Sequence, residues 1–122
     1  MLAFLDNGPL SEGHVLEIPQ DAQAHLPESS DESAAAIGRV LPRICRAVLQ
    51  ATGATSYNVL QNNGRDAHQE VMHVHFHIVP KIDGQGLGLV WKSGKLDGSK
   101  ARMLVARLAA ALEADGHRGR KS

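Results

Sequence analysis

Three histidines alternate with apolar residues in the segment His73-Val74-His75-Phe76-His77. Successive side chains of a β-strand point to opposite faces, so the imidazoles would share one face at intervals of roughly 7 Å. Neutral imidazole is a good nucleophile toward phosphorus, and neighbouring imidazoles can donate hydrogen bonds to phosphate oxygens and to a leaving group. This spacing predicts nucleophilic catalysis or phosphate binding.

Two other interpretations of the histidine segment are open. A His-x-His pair on a strand can place two nitrogens on one Zn²⁺ ion. An exposed strand face can also carry histidines that hydrogen-bond to their neighbours, although three at every second position are hard to obtain by accident. The single cysteine, Cys45, excludes an internal disulfide framework and a cysteine-rich zinc site.

Strands must position these side chains. Alternating apolar and polar residues predict a strand over residues 71–79, which Pro80 ends. Shorter strands are predicted over residues 2–6, 14–18 and 57–61. Hairpin-like succession of these strands favours an antiparallel sheet.

Two helices complete the predicted domain. Ser29 and Glu32 have the spacing of a capping box before a stripe of apolar residues three and four apart. Pro42 should kink this helix or mark the first turn of a second segment, and Gly53 should end it. A last helix is predicted to begin near Asp97.

Length and composition limit the class of protein. A chain of 122 residues with 43% hydrophobic and 21% charged residues is typical of one globular domain, not of a disordered chain. The 13 basic residues balance the 13 acidic ones, which argues against a broad non-specific nucleic-acid surface, and no specific nucleic-acid partner is expected. There is no apolar run of the roughly 20 residues that a membrane span needs, and no secretory signal pattern. We therefore expect a cytoplasmic protein, with the nucleus as a further possible compartment.

The predicted fold class is α+β: a mostly antiparallel sheet of about five strands with a central helix and a C-terminal helix. The whole chain, residues 1–122, is predicted to form a single domain. Its core spans residues 2–81, a glycine-rich loop and the C-terminal helix span 83–115, and a basic tail, predicted to be frayed, spans 116–122.

The segment His73–Val79 resembles the His-X-His-X-His-X-X motif, with X apolar, of the histidine triad (HIT) hydrolases. Gly13–Pro19 is similar to part of the family's first strand pair, and Tyr57–Gly64 to the strand and turn before the motif. The resemblance covers about residues 2–81 and implies a HIT-like fold and a homodimer. The most similar branch is the Hint-like nucleoside phosphoramidases. Fhit-like dinucleoside polyphosphate hydrolases are the alternative, and a non-catalytic nucleotide- or metal-binding scaffold is a rival of a different class.

The resemblance implies a role for each histidine of the site. His75 would attack the α-phosphorus of a purine nucleotide of the AMP type and carry it as a nucleotidyl-histidine, which water then hydrolyses. His73 and His77 would flank the phosphate, and His14 would help to order the cluster. Splitting one displacement into two makes each step easier.

The resemblance also implies a nucleotide pocket. Asn62 and Gln69 would contact the phosphate or the leaving group through their amides. Asp6 would accept hydrogen bonds from the ribose hydroxyls, and Leu5 and Ile18 would form the walls around the base.

Several residues depart from the family's pattern. Some Hint-like chains carry two zinc-binding cysteines before the first strand, whereas the one cysteine here lies elsewhere, so we expect neither a metal nor another cofactor. His68 stands where glycine is usual, and Glu70 where a serine often contacts the leaving group. Glu70 and Asp83, with Lys81 as the only nearby base, would repel a polyphosphate leaving group and so favour a phosphoramidate.

Overall fold

The computed structural model describes residues 2–120, with side chains described as far as residue 116. Over this range it contains four strands and two α-helices, namely β1 (Leu2–Leu5), β2 (Val15–Ile18), α1 (Asp31–Thr52), β3 (Tyr57–Gln61), β4 (Phe76–Pro80) and α2 (Gly98–Arg120). Short 3₁₀ turns lie at Leu26–Glu28 and Arg65–Ala67. The chain divides into two compact units, one ending at Leu89 and one beginning at Val90.

The first unit is built on one antiparallel sheet with strand order β1-β2-β4-β3. The predicted α+β class with an antiparallel sheet is confirmed, but the sheet has four strands among the described residues and not about five. The strands predicted near the N-terminus and over residues 57–61 are present.

The strand predicted over residues 71–79 is wrong for its first half, because β4 begins only at Phe76. Phe76 pairs with Glu17 on one side and with Gln61 on the other. Beyond these pairs β2 soon meets Pro19, which has no amide hydrogen, and β3 runs into a turn, so residues 71–75 find no ladder partners.

Helix α1 is capped at both ends. The side chain of Ser30 accepts a hydrogen bond from the Ser33 amide at 3.1 Å, so the cap lies one residue after the predicted Ser29. Gly53 ends the helix in the left-handed conformation, φ 74°, as predicted. The helix is unbroken at Pro42, whose ring lies on the exposed side, so this proline does not begin a second segment.

The core of the first unit lies between α1 and one face of the sheet. Cys45 and Val48 of the helix pack with Ile78 of β4, and Val15 of β2 packs against this cluster. Glu17 shares the face of Val15 by strand alternation and is fully buried. The opposite face carries Leu16, His77 and Leu60, which are direct neighbours across β2, β4 and β3, so His77 lies on the face away from the core.

The second unit contains α2. The helix begins next to Asp97, as predicted, and Asp97 Oδ1 accepts hydrogen bonds from the Ser99 amide at 3.0 Å and the Ser99 hydroxyl at 2.7 Å. The helical backbone continues through residues 116–120, so the tail predicted to be frayed is helical there, and residues 121–122 lie outside the described part of the chain. Within residues 2–120 no helix is both long and apolar enough to cross a membrane.

Candidate active site

A cavity of about 690 Å³ lies on the sheet face that carries His77. Its walls come from all four strands, from the segments that follow β1, β3 and β4, and from His75 just before β4. The lining residues are Phe4, Leu5, Asp6, Asn7, Leu10, Leu16, Leu60, Asn62, His68, Glu70, Val71, His75, His77, Leu87 and Leu89. Most of this surface is apolar, and the polar groups concentrate around the histidines, as is typical of a small-molecule site.

His77 is held by a chain of hydrogen bonds that fixes its tautomer. The Leu10 amide donates to His14 Nδ1 at 3.1 Å, so this nitrogen must be an acceptor. His14 Nε2 therefore carries the hydrogen of the neutral ring and donates it to His77 Nδ1, 2.9 Å away. The remaining nitrogen of His77, Nε2, carries a hydrogen that it can donate to a ligand in the cavity.

His75 has the opposite tautomer. Its Nδ1 lies 2.6 Å from the carbonyl oxygen of His73, which can only accept, so Nδ1 carries the hydrogen. The lone pair of Nε2 is thereby left unprotonated in the neutral ring. The His75 and His77 rings meet edge to face with centroids 4.9 Å apart. A nucleophilic nitrogen and a hydrogen-bond donor thus belong to adjacent rings that line one cavity.

His73 is placed differently from the other two histidines. It precedes β4, its ring Nε2 lies 3.3 Å from the carbonyl oxygen of Pro19, and it is absent from the cavity lining. The prediction that His73, His75 and His77 share one strand face is therefore wrong, since only His77 belongs to the strand. His73 contributes the carbonyl that orients His75.

Asp6 supplies the negative charge beside the histidines. Its Oδ2 lies 3.6 Å from His14 Nε2 and 4.0 Å from His77 Nδ1, while Oδ1 accepts from the Gly8 amide at 2.7 Å. Burial lowers the pKa of His14, and the Asp6 carboxylate opposes this shift. Burial, then the neighbouring His75 and His14, lower the pKa of His77, again against Asp6. Both rings are therefore neutral at neutral pH, as the tautomers above require.

Asp6, His14 and His77 also form a set that could hold a metal ion. One ligand atom from each lies within 4.8 Å of the others, and imidazole with carboxylate suits zinc. A metal bound there would replace the proton shared by His14 and His77. The expectation that no metal is required stays a prediction.

The residues predicted for the nucleotide pocket divide into two groups. Leu5, Asp6 and Asn62 line the cavity, whereas Ile18 and Gln69 do not. The Gln69 side chain is 1% exposed and has both ends of its amide occupied. Oε1 accepts from the Gly64 amide at 2.7 Å, and Nε2 donates to the carbonyls of Ala24 at 2.7 Å and Val71 at 3.0 Å. Gln69 therefore braces the turn after β3.

The structure adds lining residues that the sequence reasoning missed. Leu16 and Leu60 flank His77 through strand register, and Leu87 and Leu89 come from the glycine-rich segment. Strand alternation gives the face of each leucine but not its partner across the sheet.

The charges at the cavity also differ from those suggested by the neighbouring sequence. Glu70 lines it, but Lys81 and Asp83 do not, and Lys81 Nζ donates to the Gly84 carbonyl at 3.3 Å. A separate groove of about 360 Å³ is lined by Arg65, His68, Gln69 and Glu70.

Comparison with known proteins agrees with this geometry. The family model described as "HIT domain" matches residues 1–84. The adenosine 5'-monophosphoramidase hnt1 of Schizosaccharomyces pombe is 46% identical over 113 residues, covering 92% of this chain and 82% of that protein. Adenosine 5'-monophosphoramidase HNT1 of Saccharomyces cerevisiae is 44% identical, covering 91% of this chain and 68% of that one. The crystal structure of a histidine triad nucleotide-binding protein from Candida albicans matches with a TM-score of 0.80 and 40% identity, covering 92% of this chain and 82% of that one. With its family match, relatives and histidine site in agreement, this chain belongs to the HIT domain family.

Proposed function

We propose that this protein hydrolyses nucleoside 5′-phosphoramidates, with adenosine as the nucleoside, to an amine and the nucleoside monophosphate. The observation that carries the proposal is the pair of opposite tautomers at His75 and His77, a free nitrogen lone pair beside a hydrogen-bond donor. The names of the two yeast relatives, adenosine 5'-monophosphoramidases, support the same reaction class.

In the first step His75 Nε2 attacks the α-phosphorus. A new phosphorus–nitrogen bond forms to His75 as the bond to the amine nitrogen breaks, and the bonding electron pair stays on the amine. The amine takes up a proton from water as it leaves, since an amide anion would be a poor leaving group. The His77 Nε2–H is suited to donate a hydrogen bond to the phosphate oxygens and keeps its proton, because the neutral ring has no second one to give. The His73 carbonyl stabilises the positive charge that develops on the His75 ring.

In the second step water attacks the same phosphorus. The bond to His75 breaks, its electron pair returns to Nε2, and the nucleoside monophosphate is released. The proton lost by the attacking water passes to solvent and replaces the one that the amine took up, so the starting state is restored. Both displacements at one phosphorus thus use His75 Nε2 and the His77 Nε2–H in the same roles.

The nucleoside end of the substrate is proposed to lie toward β1. Asp6 is only partly exposed and has one carboxylate oxygen beyond its bond to Gly8 for a ribose hydroxyl. Leu5, Leu16 and Leu60 supply an apolar wall for the base. Asn62 lines the cavity beside them, and its Nδ2 contacts the His68 carbonyl at 3.4 Å.

Dinucleoside polyphosphates are less suited to this cavity. A polyphosphate leaving group needs positive charge along its path, whereas the ordinarily charged side chains of the cavity lining, Asp6 and Glu70, are both acidic. We expect kcat/KM for an adenosine phosphoramidate to exceed that for a diadenosine polyphosphate at fixed pH.

A homodimer and a cytoplasmic location belong to the same proposal. Strand β3 is an edge of the sheet whose outer side pairs with no other strand among residues 2–120, and its Tyr57 and Val59 are 39% and 44% exposed. An exposed strand edge with apolar side chains is suited to pairing with a second copy of the chain. Light scattering across a dilution series tests the oligomeric state.

The decisive experiment for the proposed function is intact-protein mass spectrometry after rapid mixing with adenosine 5′-phosphoramidate. We expect an adduct of one AMP on the wild-type chain and none on His75→Ala. Turnover of the substrate without an adduct on any chain quenched during steady state would contradict the nucleotidyl-histidine route. Binding without turnover would favour the non-catalytic scaffold.

A further inference from the structure

His68 occupies an unusual position at the rim of the catalytic cavity. It ends the 3₁₀ turn Arg65–Ala67 with φ 66° and ψ 26°, the left-handed region that most side chains avoid. Holding a residue other than glycine there costs conformational energy, and such residues concentrate at functional sites. The backbone conformation by itself assigns no role to the His68 imidazole.

The backbone that carries His68 is fixed from both sides. Its amide donates to the Arg65 carbonyl at 3.0 Å, and its carbonyl faces the Asn62 amide. The next residue, Gln69, is buried, and its main-chain amide donates to the Gly64 carbonyl at 3.0 Å. The imidazole therefore projects from a braced turn and not from a loose loop.

His68 is an exposed residue that lines two spaces at once. It belongs to the catalytic cavity of about 690 Å³ and to the neighbouring groove of about 360 Å³. Only Glu70 shares this property among the residues lining the two spaces. The ring of His68 makes no hydrogen bond within the described residues. Its contribution there is the space that it fills.

We infer that His68 is a specificity-determining residue, the wall that closes the catalytic cavity from the outer groove and restricts the leaving group to small amines. The inference rests on the proposed function, since it concerns the amine displaced from phosphorus. His68 and Glu70 line both the cavity and the groove, and the His68 carbonyl contacts Asn62 Nδ2 at 3.4 Å. A bulky substituent on the leaving nitrogen would meet the imidazole before it reached the groove.

The test compares two substrates that differ only in the leaving amine: adenosine 5′-phosphoramidate and its N-benzyl derivative. The measured quantity is the ratio of their kcat/KM values, benzyl over unsubstituted, in wild type, His68→Gly and His68→Asn. Asparagine tolerates the left-handed conformation and keeps a smaller side chain, so it separates lost volume from the flexibility that glycine adds. His25→Asn, at an exposed histidine outside the cavity lining, is the matched control.

We expect wild type to favour the unsubstituted substrate and His68→Gly to raise the ratio by roughly tenfold, the range in which a pocket discriminates by size. His68→Asn should raise it less, and His25→Asn should leave it unchanged. A purely structural role for His68 would lower both kcat/KM values together and leave the ratio constant, which would overturn the inference. Wild type that does not cleave the unsubstituted substrate would overturn the proposed function as well. If wild type cleaves the unsubstituted substrate but the benzyl-to-unsubstituted ratio is the same in wild type and in both His68 variants, only the role assigned to His68 is overturned.

Discussion

His14 Nε2 lies 2.9 Å from His77 Nδ1, and this contact sets which nitrogen of His77 carries its hydrogen. Because the Leu10 amide occupies the other nitrogen of His14, the His14 ring can only donate to His77. His14 is 3% exposed and does not line the cavity, so it is a positioning residue that acts through His77. A residue distant in sequence thus determines which nitrogen of His77 can serve a ligand.

Replacing the nucleophile should abolish turnover. His75→Ala removes the cavity-lining nitrogen whose lone pair is left free by a fixed tautomer, so covalent catalysis is lost and not merely weakened. We expect a loss of several orders of magnitude in kcat, with AMP affinity and thermal stability close to wild type. Steady-state kinetics, AMP titration and thermal melting measure these quantities. Turnover of the variant at the wild-type rate would contradict the assignment.

The pH profile should reflect the lowered pKa values of His14 and His77. Both rings must be neutral for the hydrogen-bond chain, and burial lowers both pKa values from 6.5, so activity should persist below pH 6.5 before its acid limb begins. Asp6 opposes these shifts. Asp6→Asn should therefore move the acid limb of kcat to still lower pH, while raising KM through the lost ribose contact. An acid limb that moves upward in this variant would refute the electrostatic account.

Glu17 should make the fold less stable at neutral and alkaline pH than in acid. Its carboxylate is 0% exposed, neither oxygen has a hydrogen-bond partner within the described residues, and burial raises its pKa from 4.5 to about 7. The folded state therefore retains a proton between pH 4.5 and 7 that the unfolded chain has released. The free energy of unfolding must fall as pH rises through this interval and stay low above it.

The matched variant for this effect is Glu17→Gln, which cannot ionise. At about 1.4 kcal/mol per pKa unit, it should be more stable than wild type by ~3 kcal/mol at pH 8 and similar at pH 4. Urea denaturation across this pH range measures the difference. Glu12→Gln, at an exposed glutamate, is the control and should leave the pH dependence unchanged. Parallel stability curves for wild type and Glu17→Gln would show that Glu17 is not the group responsible.

Turnover should require no divalent metal. The proposed steps use His75 as nucleophile and His77 as donor, so dialysis against EDTA should leave kcat unchanged. Added Zn²⁺ should inhibit, because an ion held by Asp6, His14 and His77 would displace the proton between the two rings. Loss of activity on dialysis, with recovery on adding Zn²⁺, would instead support a metal-dependent site.

The sequence alone determined the family resemblance, the fold class and the identity of the central histidines. These features are local: alternation predicts strands, Gly53 and Asp97 mark helix ends, and the triad spacing is contiguous. The same alternation wrongly predicted a strand over residues 71–75. An apolar–polar pattern carries no information on whether the neighbouring strands extend far enough to pair.

Only the tertiary structure decided what each polar side chain does. The family resemblance implies that Gln69 contacts the ligand, but its side-chain amide hydrogen-bonds to Gly64, Ala24 and Val71 instead. No spacing rule predicts these contacts. The tautomer of His75 depends on the backbone carbonyl of His73, and that of His77 on His14, 63 residues away. Hydrogen-bond direction is set by which groups meet in space, so chemistry that depends on a single proton is decided only once the chain has folded.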